Sequence, residues 1–245
     1  STQFKAHGNG MGRQTGEKLA VDPKNSNIVF CGTRRDGLFK STNGGTTWSK
    51  VSSFPLTTSP NDNGITFVQF DTTLVTGGVT QRMYIGFSRM GASNLYVSTD
   101  AGNSWTAVNG QPTNFIPQRV ARASNGTLYI TYANGVGPHG HWDPASETMD
   151  QGAVWRYVPT GNVWTNITPS VASAYAGITV DPTNSNRVIV STINKYLQQP
   201  WGWGDRIFVS TNGGSAWTDL IGSNKVTMSN NGIPWIDGHA IHWAG

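Results

Sequence analysis

The chain has 245 residues, of which 12% are charged, and its formal net charge is +4. That charged share is about half the usual one, whereas 30 glycines and 10 tryptophans favour turns and aromatic surfaces. The lysines and arginines form no cluster, and no apolar stretch approaches the roughly 18 residues of a membrane span. We therefore expect neither a nucleic acid nor a membrane as partner.

Short apolar runs separated by turn residues follow one another along the chain. After a polar, glycine-rich loop at residues 1–15, they predict successive groups of four antiparallel strands. The predicted fold class is all-β, a β-propeller with four-stranded blades, and residues 1–245 are treated as one propeller domain or propeller segment. The predicted blades lie at about 16–51, 64–108, 116–167 and 176–220, with the first strand of an unfinished fifth blade at 236–245.

The spacing of one motif gives the size of the repeat. Ser-Thr-Asn/Asp-x-Gly-x-x-Trp occurs at Ser41–Trp48, Ser98–Trp105 and Ser210–Trp217, and it predicts a hairpin with a Gly-containing loop. A weaker copy without the Ser-Thr-Asn turn ends at Trp164. The four tryptophans are 57, 59 and 53 residues apart, which is the length of one propeller blade. The motif is the Asp-box of sialidase-like propellers, and we interpret it as a structural staple without a catalytic role.

The loops are unequal in length, and this difference indicates where function lies. In a four-stranded meander, the second-to-third strand loops and the blade linkers lie on one rim, and the motif hairpins lie on the other. The second-to-third loops of blades three and four are long, at about 133–151 and 193–205. Long ordered loops on one rim of a rigid scaffold are where function is usually found.

Tryptophans outside the repeat positions are concentrated on that rim. Trp201 and Trp203 lie in the aromatic, amide-rich segment 196–205, and Trp142 and Trp235 lie in other loops of the same rim. Flat aromatic rings flanked by amide and carboxylate groups suit a sugar ring, which stacks through its C–H groups. Two interpretations stay open: a sugar-binding platform, or rings that fold back over the top of the propeller.

Other polar groupings have simpler interpretations. His139, His141 and Asp143 offer metal ligands, but the glycine-rich loop around them fixes no geometry. A polar loop lining the groove is the preferred interpretation, so no metal is predicted, and no cofactor is expected. Cys31 lies in an apolar run and is predicted to be a buried small side chain.

Several segments resemble one enzyme family, in order along nearly the whole chain. They are Gly10–Arg13, Gly16–Pro23, Gly37–Thr42, Trp48–Val51, Gly126–Pro138 and Gly152–Tyr157. These segments resemble the N-terminal propeller of the xyloglucanases, glycoside hydrolase family 74. The resemblance implies two seven-bladed propellers that enclose a cleft, a secreted protein, and inverting cleavage of a β-1,4-glucan backbone that bears xylose.

The resemblance assigns no catalytic residue. Inversion needs an acid and a base carboxyl group about 6.5–9.5 Å apart. The family's two aspartates stand within Arg-Thr-Asp-Ile-Gly-Gly and, in the second propeller, beside Gly-Gly, and neither context occurs in this sequence. What the resemblance does imply is substrate binding. Trp201 and Trp203 match the family's aromatic subsite loop, and Tyr132, Asn134 and Arg13 lie in segments that match its cleft side.

Two hypotheses of different class follow. The chain is the glycan-binding portion of a xyloglucan-degrading enzyme whose remainder supplies the chemistry, or it is a self-contained, non-catalytic propeller that binds carbohydrate. Both predict a xyloglucan-like polysaccharide or oligosaccharide as partner.

Overall fold

The computed structural model describes residues 17–135, 149–193 and 205–220. Within these ranges the strands form four sheets, each an antiparallel meander of four consecutive strands. Blades one and two consist of β1 (Leu19–Asp22), β2 (Asn25–Gly32), β3 (Leu38–Ser41), β4 (Ser49–Lys50), β5 (Ile65–Thr76), β6 (Val79–Phe87), β7 (Leu95–Ser98) and β8 (Thr106–Ala107). Blades three and four consist of β9 (Ile116–Arg122), β10 (Leu128–Ala133), β11 (Gly152–Val158), β12 (Val163–Asn166), β13 (Ala174–Asp181), β14 (Asn184–Ile193), β15 (Ile207–Ser210) and β16 (Thr218–Asp219).

This architecture confirms the predicted fold class of an all-β chain with four-stranded propeller blades. The largest difference from the predicted strands is in blade two, where β5 and β6 continue to Thr76 and Val79. From the sequence, these two strands are predicted at about 64–71 and 82–88, because Asp71 and the threonines after it interrupt the apolar pattern. A bulge after Asp71 lets the pairing resume, and Gly77 and Gly78, both at positive φ, form the turn.

The apolar core lies between consecutive blades. In β10, Leu128, Ile130 and Tyr132 pack with blade two, whereas Tyr129 packs with blade four. Successive side chains of a strand point to opposite faces, so a blade with two neighbours buries both of its faces. The first strands of consecutive blades also contact one another, which places β1, β5, β9 and β13 innermost.

A buried ion pair joins blades two and three. Asp71 is fully buried and accepts hydrogen bonds from Arg122 of blade three (2.7 Å) and from Arg82 of its own blade (3.3 Å). Burial alone raises the pKa of Asp71, but hydrogen bonds from Thr73 and Arg122 lower it below its usual value. The carboxylate therefore stays charged and fixes β5 against β9.

The repeated motif folds into one turn geometry. In the first copy, Ser41 Oγ accepts from the N–H groups of Asn43 (3.3 Å) and Gly45 (2.9 Å), and Asn43 Oδ1 accepts from Thr47 N (2.8 Å). Gly45 has a φ of 90°, which favours glycine at this position. The same bonds recur at 98–105 and 210–217. All of them are made within the turn, which supports the structural interpretation of the motif.

The motif hairpins lie at one end of the strands, called here the hairpin rim. In each motif the fourth residue donates its backbone N–H to a carbonyl near the start of the second strand of the same blade. These fourth residues are Gly44, Ala101 and Gly213. The hairpins therefore lie beside the turns between first and second strands.

The blade linkers and the second-to-third strand loops lie at the other end, called here the long-loop rim. Ile65 N, at the end of a linker, donates to Thr33 O in the loop of blade one (3.1 Å), and Gln118 Nε2 donates to Gly135 O (2.8 Å). The described roots of the two long loops are thus opposite the hairpins, as predicted. No helix in the described ranges is long and apolar enough to span a membrane.

Candidate functional site

One asparagine side chain closes the root of the first long loop. Asn134 directly follows β10, and its Nδ2 donates to Asp150 Oδ1 (2.7 Å). Its Oδ1 accepts from the N–H groups of Asp150 (3.1 Å) and Gln151 (3.2 Å), and its backbone N–H donates to Gln151 O (2.8 Å). Both ends of the amide are in use. The loop therefore leaves and re-enters the sheet at fixed points.

A threonine closes the root of the second long loop in a similar way. Thr192 Oγ1 donates to Asp205 Oδ1 (2.8 Å) and accepts from Arg206 N (2.7 Å), while Thr192 N donates to Arg206 O (3.0 Å). Asp205 is buried. In both loops, therefore, an aspartate at the loop's end bonds a polar residue at the end of the blade's second strand.

An apolar cluster packs the two loop roots against each other. Its members are Ala133, Met149, Ala174, Ala176 and Ile193. Met149 is fully buried and directly precedes Asp150, so the end of the first loop contributes to the cluster. Ile193 contributes from the start of the second loop, which makes the two roots one packed unit.

Tyr132 lies beneath this rim and is not exposed at its surface. Its ring is fully buried between blades two and three, and its hydroxyl has no hydrogen-bond partner. Burial raises the pKa of Tyr132, so the hydroxyl stays neutral. An unpaired buried polar atom is costly and calls for an explanation. Among the described residues, other buried side-chain polar atoms without a hydrogen-bond partner lie at this end of the strands. They belong to Thr66, Asn94, Gln118 and Ser173.

Blades one and two give the long-loop rim a basic character. Lys18 Nζ donates to the backbone and side-chain oxygens of Asn63 (both 3.2 Å), and Arg34 Nε donates to Asp62 O (2.9 Å). Burial and the nearby Arg34 guanidinium lower the pKa of Lys18 to about 8, and Cys31 partly offsets this shift. Arg35 forms an exposed ion pair with Asp62.

The predicted site residues fall into two groups. Asn134 lies at the root of the first long loop, on the long-loop rim. Tyr132 lies below that rim, buried in the core. Trp201, Trp203 and Arg13 lie outside the described residues. The same is true of the other predicted loop residues, namely Trp142, Trp235, His139, His141 and Asp143.

The sequence analysis included Asn134 but assigned no role to the two aspartates that close the loop roots with it and with Thr192. Asp150 and Asp205 each stand two positions before the third strand of their blade, at Gly152 and Ile207. An aspartate at that position after a long loop was the available signal. The sequence alone did not show that its partner would be Asn134 in one blade and Thr192 in the other.

Three carboxylates on the described part of this rim have structural partners. Asp62, Asp150 and Asp205 are each held by a partner, namely Arg35, Asn134 and Thr192. No group of metal-ligating side chains occurs among the described residues. What these residues do is fix two loops at the edge of a rigid, partly basic rim.

Four-stranded blades, repeated hairpins and two unlike rims define the described residues as part of a β-propeller. In sequence, the chain is 38% identical over 265 residues to a xyloglucanase from Hypocrea jecorina, covering 97% of this chain and 30% of that protein. It is 37% identical over 259 residues to a xyloglucanase from a Paenibacillus species, covering 95% and 24%. No protein-family model matches the chain.

Solved structures give the same result. The glycoside hydrolase family 74 enzyme from Niastella koreensis is 48% identical, with a TM-score of 0.82 over 100% of this chain and 35% of that one. The family 74 xyloglucanase from Xanthomonas campestris is 34% identical, with a TM-score of 0.76 over 89% and 31%. The chain belongs to glycoside hydrolase family 74, and the predicted resemblance to its xyloglucanases is confirmed. It spans between 24% and 35% of the length of these four proteins.

Proposed function

We propose that this chain is the glycan-binding portion of a secreted, xyloglucan-degrading endo-β-1,4-glucanase of the inverting type. The observation that carries the proposal is the paired root of the two long loops on one rim, in a chain homologous to xyloglucanases over its length. One of these loops contains the densest aromatic segment of the sequence, at 196–205. The ligand is a β-1,4-glucan backbone that bears xylose, or an oligosaccharide of it.

Trp201 and Trp203 are the main glycan contacts in this proposal. Two rings separated by a single glycine suit neighbouring sugar units, and Gly202 and Gly204 add no side chain beside them. Arg13 contributes from the start of the chain. Asn134 acts by fixing the first loop, since its amide is fully engaged with Asp150 and Gln151. Tyr132 acts from below, as the buried support of the rim.

The hydrolytic step belongs to another part of the enzyme. Inversion needs a carboxylic acid and a carboxylate with a water molecule between them, and three of the described rim carboxylates, Asp62, Asp150 and Asp205, are held by structural partners. The chain by itself should therefore bind xyloglucan without releasing reducing ends. A second candidate function, a self-contained propeller lectin, is favoured by the same rim and differs in having no catalytic partner.

Titration calorimetry with a xyloglucan oligosaccharide tests the proposal. Trp201→Ala combined with Trp203→Ala should weaken binding by about 30-fold or more, since each stacked ring contributes about 1–2 kcal/mol. The melting temperature should change little. Trp105→Ala is the matched control, because this ring packs edge-on against Phe54 at 5.4 Å in the core. It should lower the melting temperature and leave the affinity unchanged. Unchanged affinity of the double variant would contradict the proposed site.

A further inference from the structure

The first strands of blades two, three and four each carry a β-bulge near the long-loop rim. In β9 the pairing with β10 skips Gln118, and in β5 the pairing with β6 skips Thr66. In β13 the pairing with β14 skips residues 176 and 177. A bulge redirects a side chain and is often found next to functional sites. The bulge residues of these innermost strands are therefore candidates for a role at the rim.

The side chain of Gln118 reaches the start of the first long loop. It is fully buried, and its Nε2 donates to Gly135 O (2.8 Å) and to Ile116 O (3.2 Å). Backbone carbonyls only accept hydrogen bonds, so the nitrogen of the amide is the atom that faces them. Gly135 comes two residues after the end of β10, where the loop leaves the sheet. Gln118 therefore ties the beginning of the loop to the innermost strand of the blade.

The oxygen of the same amide has no partner. Gln118 Oε1 is buried and makes no hydrogen bond. An unpaired buried acceptor lowers the stability of a fold. An apolar side chain of similar length, such as that of methionine, would occupy this position without that cost. Stability alone therefore does not account for an amide here, whereas its bond to the loop does.

The equivalent positions in the neighbouring blades lack this bond. Thr66 of blade two has a buried hydroxyl without a partner, and the second-to-third strand loop of that blade is short, at 88–94. Ala176 of blade four has no polar side chain, and its carbonyl accepts from Thr131 Oγ1 of blade three (2.7 Å). The bulge is thus shared by the three blades, but the amide that holds a loop occurs at the first long loop.

The root of the first loop is in turn packed against that of the second. Ala133, two residues before Gly135, lies in one apolar cluster with Ala176 and Ile193. The bond from Thr131 to Ala176 also joins β10 to the innermost strand of blade four. Close-packed side chains transmit displacements. A shift of the chain at Gly135 would therefore disturb the start of both long loops.

We propose that Gln118 is a positioning residue for glycan binding, because it holds the Gly135 carbonyl and so sets the direction in which the first long loop leaves the sheet. This inference rests on the proposed function, since it takes the long-loop rim as the glycan-binding surface. Gln118 is fully buried, so it acts through Gly135 and the packed loop roots and does not touch the glycan. A residue of the innermost strand thereby contributes to affinity at the rim.

Gln118→Met tests the proposal, because it removes the amide and keeps the length of the side chain. Titration calorimetry with a xyloglucan oligosaccharide should give about five- to tenfold weaker binding, since the loop loses a hydrogen bond that orders it. The melting temperature should change little, because removal of the unpaired Oε1 offsets the lost N–H bonds. Thr66→Val is the matched control, since it removes an unpaired hydroxyl from the equivalent bulge of blade two. It should leave the affinity unchanged.

Gln118→Glu separates a hydrogen-bonding role from a packing role. Burial raises the pKa of a carboxyl group, and the protonated group can donate to Gly135 O as the amide does. The donor is lost as the pH rises and the carboxyl group ionises. The affinity of the variant relative to the wild type should therefore fall about fivefold between about pH 5 and about pH 9. A packing role predicts a constant ratio.

Hydrogen exchange gives a measurement that does not need the glycan. The N–H groups of Asp150 and Gln151 donate to Asn134 Oδ1, directly before Gly135. They should exchange about fivefold faster in Gln118→Met, because the chain beside them is no longer held. In Thr66→Val they should exchange at the wild-type rate.

Three results would each overturn the proposal. They are wild-type affinity in Gln118→Met, a Gln118→Glu affinity ratio that does not change with pH, and unchanged exchange at Asp150 and Gln151 in Gln118→Met. A wild-type chain that does not bind the oligosaccharide would overturn the proposed function, and the role of Gln118 in glycan binding with it. Wild-type binding together with an unaffected Gln118→Met variant would overturn this inference alone.

Discussion

Blades one and four begin with nearly the same sequence but bury it differently. Leu19 and Val21 of β1 correspond to Ile178 and Val180 of β13, in the same position before a shared Asp-Pro turn. Their pairing with the second strand also corresponds, since Leu19 faces Cys31 and Ile178 faces Val190. Yet Ile178 and Val180 are 8% and 9% exposed, whereas Leu19 and Val21 are 58% and 51% exposed.

The neighbouring blade accounts for this difference. Ile178 and Val180 share a buried cluster with Tyr129 and Val154 of blade three. In the part of the chain that the structure describes, the same side of β1 is left uncovered. The alternation of a strand identifies the side chains that share a face, but burial depends on what lies opposite. The apolar pattern of a propeller strand therefore shows which face a neighbouring blade must cover, and that face is buried only where the neighbour is present.

The largest effect is expected from shortening Ile178. Ile178→Ala should lower the free energy of unfolding by about 2–4 kcal/mol, because it removes buried apolar atoms and leaves a cavity. Leu19→Ala, the matched change in blade one, should cost less than about 1 kcal/mol because the side chain is largely exposed. Urea unfolding of both variants measures the difference. Equal losses would mean that blade one is covered in solution.

An intermediate effect is expected at the polar contact between blades three and four. Tyr129 OH donates to Ser185 O across the junction (2.8 Å). Tyr129→Phe should lower the free energy of unfolding by about 1 kcal/mol, because it leaves this carbonyl without its donor. Tyr157→Phe is the control, since its hydroxyl bonds Asn162 within the same blade (3.2 Å). If Tyr157→Phe lowers the free energy of unfolding by as much as Tyr129→Phe does, the contact between blades contributes no more than a contact within one blade.

A pH-dependent effect concerns Lys18, which directly precedes Leu19, where blade four has Gly177. The pKa of Lys18 is about 8 in the folded chain and close to its usual 10.5 when unfolded. Between these values the unfolded state binds more protons, so the contribution of Lys18 to stability rises with pH from about 8 to 10.5. Lys18→Met should flatten this rise, as measured by urea unfolding at several pH values. The exposed Lys24→Met variant should keep the wild-type slope, and a wild-type slope in Lys18→Met would refute the assignment.

Local turn chemistry made much of the fold predictable. The Ser-Thr-Asn/Asp-x-Gly-x-x-Trp turns depend on bonds between residues that are close in sequence, such as Ser41 and Gly45, so the motif alone specified them. The continuation of β5 past Asp71 was missed because a bulge carries the strand through polar residues.

The candidate site was less predictable, because its contacts are not local. Tyr132 lies in a segment that matches the cleft side, yet the packing of blades two and three buries its ring. Asn134 was identified as a site residue, but its bonds to Asp150 and Gln151 span a whole loop. The path of the indoles of Trp164 and Trp217 into the preceding blade likewise depends on how the blades pack.

The closed root of the first long loop has a consequence for how such a protein changes over evolutionary time. Because Asn134, Asp150 and Gln151 join the two ends of the loop, the pairing of β10 with β11 is anchored independently of the residues between them. Doubling the length of a flexible loop adds only about 0.6 kcal/mol of closure entropy. Insertions and exchanges between residues 135 and 149 should therefore lower the free energy of unfolding of the scaffold only slightly. A new specificity can be acquired there without a new fold, and a loop from a relative can be grafted between the same two anchors.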